Sequence, residues 1–459
     1  MNQHGPHKAL PTALGVLVLA MALGGCFTTT DLTILQTQDG GGPAIGNSTA
    51  TPGADAGSKA SASTHVACTR GGTCLQLDPT NLDKLDLLFV VDDSASMHKA
   101  QLALQDQLPR MITTLITGMR GPSDPNPFPP IVDLHLGVVS SNMGLVGLQG
   151  IGGCSDVNGV TSMLPGFGDD GILRTVPTPH NAGTCQPTFP ADQRFLSYVA
   201  GGPISANQVR SDFACLVATG TNGCGFVQPL EAGLKALWPS VDIDAETGKL
   251  ITPNRITFVT DLGYPNRASL ALGHGDLENH GFLRTGPSDG LSLLGVVVVS
   301  DHDDWSTRDT RIFTPDQYLS PSDPLYAEPL GLRAFYNTDK LYGVDRYVTA
   351  LRALRASHED LAFFATISGT PADLVNDSAY KPVSWHDAAS RNAFYQHILT
   401  DPRMIERVDP TVRAITPDPT IPLVTDRLIP SVITPDGTAY PPTRMVQVAK
   451  AFGENGLVL

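Results

Sequence analysis

The chain reads as an α/β protein built on a doubly wound, mostly parallel sheet of Rossmann-like type, with loop insertions pinned by disulfides. Three features predict this: short apolar runs that alternate with helix-period segments, the polar tips on those runs, and cysteines that bracket Gly- and Thr-rich loops. At 459 residues, 41% hydrophobic and 16% charged, the composition is globular and excludes disorder along the full length. A formal charge of −15 leaves no long basic stripe for a phosphate backbone, so nucleic acid is not an expected partner.

The amino-terminal region reads as an export signal. Lys8 and the free amino terminus are followed by the apolar stretch "ALPTALGVLVLAMALGG", too short and wrongly flanked for a membrane span. Its end, "LGGC" at 23–26, resembles the bacterial lipobox. That resemblance implies removal of 1–25 and a lipid on Cys26, hence a membrane contact through the new amino terminus. Residues 26–67 are rich in Thr, Gly, Ala and Ser without a hydrophobic period, which is the composition of a tether.

Seven cysteines in an exported chain leave one unpaired. With Cys26 assigned to lipid, six remain and fifteen pairings are possible. Joining neighbours (Cys68 with Cys74, Cys154 with Cys185, Cys215 with Cys224) is preferred because each pair brackets a segment that needs pinning. None of the spacings suggests zinc. "CTRGGTC" opens a lead-in over 68–84.

From residue 85 the α/β pattern sets in. "LDLLFVV" is a strand covered on both faces, and the segment from Ser96 to Met119 is a helix with Pro109 as a kink. "IVDLHLGVVSS" (131–141) is the next strand, and 142–207 reads as a long irregular stretch. "VQPLEAGLKALW" (227–238) is a helix and "LSLLGVVVVSD" (291–301) the most hydrophobic strand; a helix at 344–355 and a strand at 361–368 follow. The domain so defined spans 85–400. A Pro-rich extension, 401–459, is expected to pack on it and to end in a helix at 444–452.

In such a sheet ligands bind beyond the carboxyl ends of the strands. There the first strand carries Asp92, Ser94 and Ser96 in a D-x-S-x-S pattern. These hard oxygens suit Mg²⁺ or Mn²⁺, although the serines also suit a helix cap. Asp93 between them is expected to face solvent. With "VVDDSASM", "GTNGCGFVQPLEAGLKAL", "NHGFLR", "VVVVSDHDDWS" and "RYVTALRAL", the chain resembles the von Willebrand factor A domain family over 85–459. Within it, it is similar to secreted or lipid-anchored proteins of predatory and soil-dwelling Gram-negative bacteria. The resemblance implies a metal-ion-dependent adhesion site in a cell-envelope lipoprotein, completed by a threonine from a second loop and an aspartate from a third.

Thr221, flanked by Gly220 and Gly223, is the favoured threonine, with Thr219 as rival. Asp301, after the continuous apolar run, is favoured over Asp261. Where the family commonly has "TDEDDCS", this chain has Ser300, His302 and Trp305. Asp303 and Asp304 could tune the site, bind a second cation, or be solvated loop carboxylates, the last being favoured. The implied ligand is an acidic residue of a protein partner, which completes the cation's coordination. No nucleophile elbow, H-E-x-x-H or phosphate loop is present, and twelve histidines are scattered along the chain, so an enzyme is the lesser expectation and a metal-free envelope scaffold a third.

Overall fold

The structure, a computed structural model, describes residues 65–68, 74–77, 83–124, 128–145, 151, 153–154, 168–176, 186–240, 256–258, 271–284, 292–355, 358–382, 384–410 and 427–459. Strands β1 (His65–Cys68) and β2 (Cys74–Leu77) form a hairpin whose register sets Cys68 opposite Cys74. The main sheet has six strands: β3 (Lys84–Val91), β4 (Asp133–Ser140), β5 (Leu196–Val199), β6 (Leu293–Val299), β7 (Ala362–Ile367) and β10 (Gly456–Val458). Their spatial order is β10-β7-β6-β3-β4-β5, parallel throughout except for the antiparallel edge strand β5.

Helices cover both faces, which is why β3 and β6 are apolar at successive positions and not at alternate ones. Leu87, Phe89 and Val91 of β3 point to the core under α1 (His98–Thr117) and α2 (Ala206–Leu216). Leu88 and Val90 point to the opposite core, with α3 (Pro229–Leu237), α4 (Val344–Ala353), α5 (Ala388–Thr400) and α6 (Thr443–Phe452). Gly295 lets β6 sit close to its neighbours: a methyl there would lie 2.2 Å from the Phe363 ring and 2.7 Å from Leu87.

Several expectations change. Pro109 lies inside an uninterrupted 20-residue helix. The stretch expected to be irregular supplies edge strand β5 and the start of α2. The carboxyl-terminal stretch enters the fold itself: α6 packs in the core and β10 hydrogen-bonds to β7, so residue 400 does not divide the sheet. Residues 432–434 and 437–439 form a separate hairpin, β8 and β9.

The disulfide pairing is corrected as well. Cys154 bonds to Cys224, 70 residues away, so neither Cys154–Cys185 nor Cys215–Cys224 forms, and Cys215 is disulfide-bonded elsewhere. Preference for short loops failed because tertiary contact decides the pairing: the 153 and 223 backbones touch, a methyl on Gly153 falling 2.3 Å from the Gly223 carbonyl oxygen. Cys26, Cys185, Asp261 and residues 26–64 of the expected tether lie outside the described residues, as do the side chains of Cys68 and Cys74, while residues 65–67, expected as tether, belong to strand β1, where pairing with β2 orders them. Among the described residues no helix is long and apolar enough to cross a membrane.

Candidate metal centre

The chain passes from β3 to β4 on one side and later returns to β6 on the other, so strand order reverses at β3 and β6. The crevice beyond their carboxyl ends is the expected ligand position of an open parallel sheet. The register aligns Val91 with Val299 and with Ser140, and the ladder continues past the tips through Asp92 N–H to the Val299 carbonyl (2.9 Å). Asp92 and Asp301 therefore leave adjacent strands side by side.

Asp92 is fully buried. One carboxylate oxygen accepts from the Ser94 amide at 2.8 Å and the other from the Ser300 hydroxyl at 2.7 Å. Burial raises its pKa, and Asp301 adds to that, against the lowering by His302 and by the Ser300 and Ser94 hydrogen bonds. The chain then makes a short 3₁₀ turn, Ala95–Met97, before α1. Ser94 precedes the turn and Met97 precedes α1, and neither side chain caps. The Ser94 and Ser96 hydroxyls lie 3.3 Å apart, Ser94 buried and Ser96 exposed, and are not spent as helix caps.

Asp301 holds the Nδ1 atom of His302 at 2.6 Å. Asp92, Asp301 and His302 each present a ligand atom within 4.8 Å of the others, a cluster that could hold a metal ion. The imidazole had no assigned role in the sequence, though its place directly after Asp301 was the available signal. Burial alone would lower the His302 pKa, but Asp301 and Asp92 outweigh it and raise it, so the two carboxylates draw a cation or a proton to this spot.

The two candidate threonines differ in what they bond. Gln101 of α1 spans the loops: its amide nitrogen donates to the Asp92 carbonyl (2.8 Å), the Thr219 hydroxyl (2.9 Å) and the Gly220 carbonyl (2.7 Å). Thr219 is thus buried behind the Asp92 backbone, whereas Thr221 is half-buried and its hydroxyl makes no hydrogen bond to any of the described residues.

Three aspartates read as solvated are buried. Gly223 N–H donates to the Asp93 carbonyl at 2.8 Å, and the loop anchored by Cys154–Cys224 closes over the Asp93 carboxylate. A methyl on Gly223 would lie 2.0 Å from that carboxyl group. Burial, then Asp169 and Asp92, push the Asp93 pKa well up. Asp303 accepts from the Asp304 amide and from Arg444 N–H at 3.0 and 3.1 Å. Asp304 accepts from Leu230 N–H in the first turn of α3 (3.0 Å), the Ser306 hydroxyl (2.6 Å) and the Arg444 guanidinium (3.1 Å). Its charge complements the positive end of that helix. Local sequence marks such residues as loop; the loop at Gly223 covers Asp93, and the return of α6 across the strand tips covers Asp303 and Asp304.

The carboxyl-terminal segment also builds a wall of the site. Tyr440 N–H donates to the Asp301 carbonyl at 2.8 Å, its ring lies 4.9 Å from that of His302, and Lys99 of α1 donates to the Pro435 carbonyl at the β8–β9 turn. Behind His302 a cavity of about 180 Å³ opens, lined by Asp303, Trp305, Glu406, Arg427 and Tyr440 among others. Burial pushes the Glu406 carboxyl upward, against the opposing effect of Arg444. Comparison with family models, with curated proteins and with solved structures finds no match to this chain.

Proposed function

We propose that this chain is a cell-envelope binding module of von Willebrand A type, held to the membrane by a lipid on Cys26, that takes Mg²⁺ or Mn²⁺ at the crevice above β3 and β6 and through it an acidic group of a protein partner. The observation that carries the reading is the convergence of Asp92, Asp301 and His302 at the point where strand order reverses. The donor set fits such an ion: two carboxylates, the Ser94 and Ser96 hydroxyls that no cap consumes, and the Thr221 hydroxyl, which is the freer of the two threonines. Hard oxygens suit Mg²⁺, and the added imidazole nitrogen tips the preference toward Mn²⁺. Two carboxylates would balance a divalent charge without excess, so an anionic group on a partner remains an acceptable further ligand. Nothing in this reading requires a catalytic base.

The test is calorimetric titration of Mg²⁺ and Mn²⁺ into the oxidised protein beside Asp92→Ala and Asp301→Ala. Saturable binding that both substitutions abolish is the expected result. A parent protein that takes neither ion would sink the proposal.

A further inference from the structure

One side chain sets three peptide planes at the metal centre. Gln101 sits at the start of α1, only 4% exposed, and its amide bonds two loops that lie far apart in the chain. Nε2 donates to the Asp92 carbonyl, which fixes the peptide that follows the Asp92 side chain, and to the Gly220 carbonyl, which fixes the peptide that leads into Thr221. Oε1 accepts from the Gly220 N–H at 3.0 Å, so both backbone polar groups of Gly220 are held by the same amide. Gly220 takes φ +93°, a bend that favours glycine, and it separates the two threonines. Thr219 accepts from Gln101, while the Thr221 hydroxyl bonds none of the described residues. Beyond Thr221 the loop is anchored again, by the Gly223 N–H on the Asp93 carbonyl at 2.8 Å and by the Cys154–Cys224 bridge. Residues 221 and 222 are therefore tied at both ends to the backbone that carries Asp92.

We infer that Gln101 is a positioning residue for the divalent ion: its amide presets the Thr221 hydroxyl against the Asp92 carboxylate, so that the second loop meets the ion already in place. The inference rests on the metal-centre reading and adds to it a residue that supplies no ligand atom. Its physical basis is ordering entropy, since a hydroxyl on a loose loop must be immobilised when the ion binds and that cost is subtracted from affinity. Groups that orient metal ligands from behind are typically worth roughly 10–100-fold in affinity. Nε2 has two hydrogens for three acceptors, so the Thr219 bond is the one that can be lost while Asp92 and Gly220 stay held.

The test is a double-mutant cycle read by Mn²⁺ titration of the oxidised full chain: the parent, Gln101→Leu, Thr221→Ala and the two combined, with Thr219→Val as control. Gln101→Leu should weaken Mn²⁺ binding roughly 10–100-fold, Thr221→Ala should weaken it too, and the combination should be no weaker than the weaker single variant. Thr219→Val should keep parental affinity. A residue that only held the fold together would lower the melting temperature of Gln101→Leu without making its effect on the ion depend on Thr221. Should Gln101→Leu fail to fold, hydrogen exchange on the parent carries the test: saturating Mn²⁺ should slow the amides of 219–224 in the parent and leave them unchanged in Thr221→Ala. Parental affinity in Gln101→Leu or in Thr221→Ala, losses that add in the combined variant, or loop exchange that bound Mn²⁺ does not slow in the parent overturns the inference and leaves the metal reading standing. A parent that takes no Mn²⁺ defeats the metal reading and the inference with it.

Discussion

Asp86→Ala is the substitution whose cost the structure defines best. Asp86 is fully buried on central strand β3 and accepts from the Arg284 amide (2.9 Å), the Arg284 guanidinium, the Ser292 hydroxyl (2.6 Å) and the Arg355 guanidinium (3.1 Å). Arg284 keeps Asp133 as a second carboxylate, but Arg355 would keep only the neutral Ser292 hydroxyl and the Ser292, Arg284 and Leu354 carbonyls. One buried guanidinium therefore loses its counter-charge, which typically costs about 3–5 kcal/mol. Asp86→Asn, which retains an acceptor of the same shape, should cost less, on the order of 1–3 kcal/mol. Equilibrium urea unfolding read from the midpoint at constant slope measures both. Asp86 lies six residues before Asp92, about 20 Å along the strand at ~3.3 Å per residue, so divalent-ion binding should be unaffected. A loss under about 1 kcal/mol for Asp86→Ala would refute the view that this network is a charge-compensated unit.

Further outcomes follow from particular contacts. Gly223→Ala should destabilise by roughly 1–3 kcal/mol because its methyl meets the Asp93 carboxylate, whereas Gly225→Ala, with open space at that position, should change the melting temperature hardly at all; equal effects would contradict the packing. Peptide mapping without reduction should recover Cys154 linked to Cys224, and removing that bridge should cost about 4 kcal/mol by loop-entropy arithmetic for a 70-residue separation; a Cys215–Cys224 peptide would disprove it. His274 bonds Asp170 at 3.1 Å and Glu278 at 2.7 Å; burial alone would lower its pKa, and the two carboxylates outweigh this and raise it. Its contribution should then be complete below its unfolded value near ~6.5 and fade as pH rises through the higher folded value, so the deficit of His274→Gln should shrink with rising pH. Melting curves across that range that show a constant or growing deficit would reverse the assignment.

The sequence by itself determined the parts whose signal is local. Seven consecutive buried residues in "LLGVVVV" and the matching run ending at Val91 announce strands covered on both faces, because only double coverage removes alternation. The same logic placed Asp92 and Asp301 at strand tips, where an open parallel sheet presents its polar loop residues. Tertiary structure decided what depends on distant segments meeting. Edge strands β5 and β10 are four and three residues long and carry too little periodicity to be read. The Cys154–Cys224 bridge, the burial of Asp93, Asp303 and Asp304, and the entry of His302, Glu406 and Tyr440 into one neighbourhood all follow from contacts between segments far apart in the chain. Hydrogen-bond partners more than a hundred residues away leave no mark on spacing or composition, which is why the strand tips were legible and the walls around them were not.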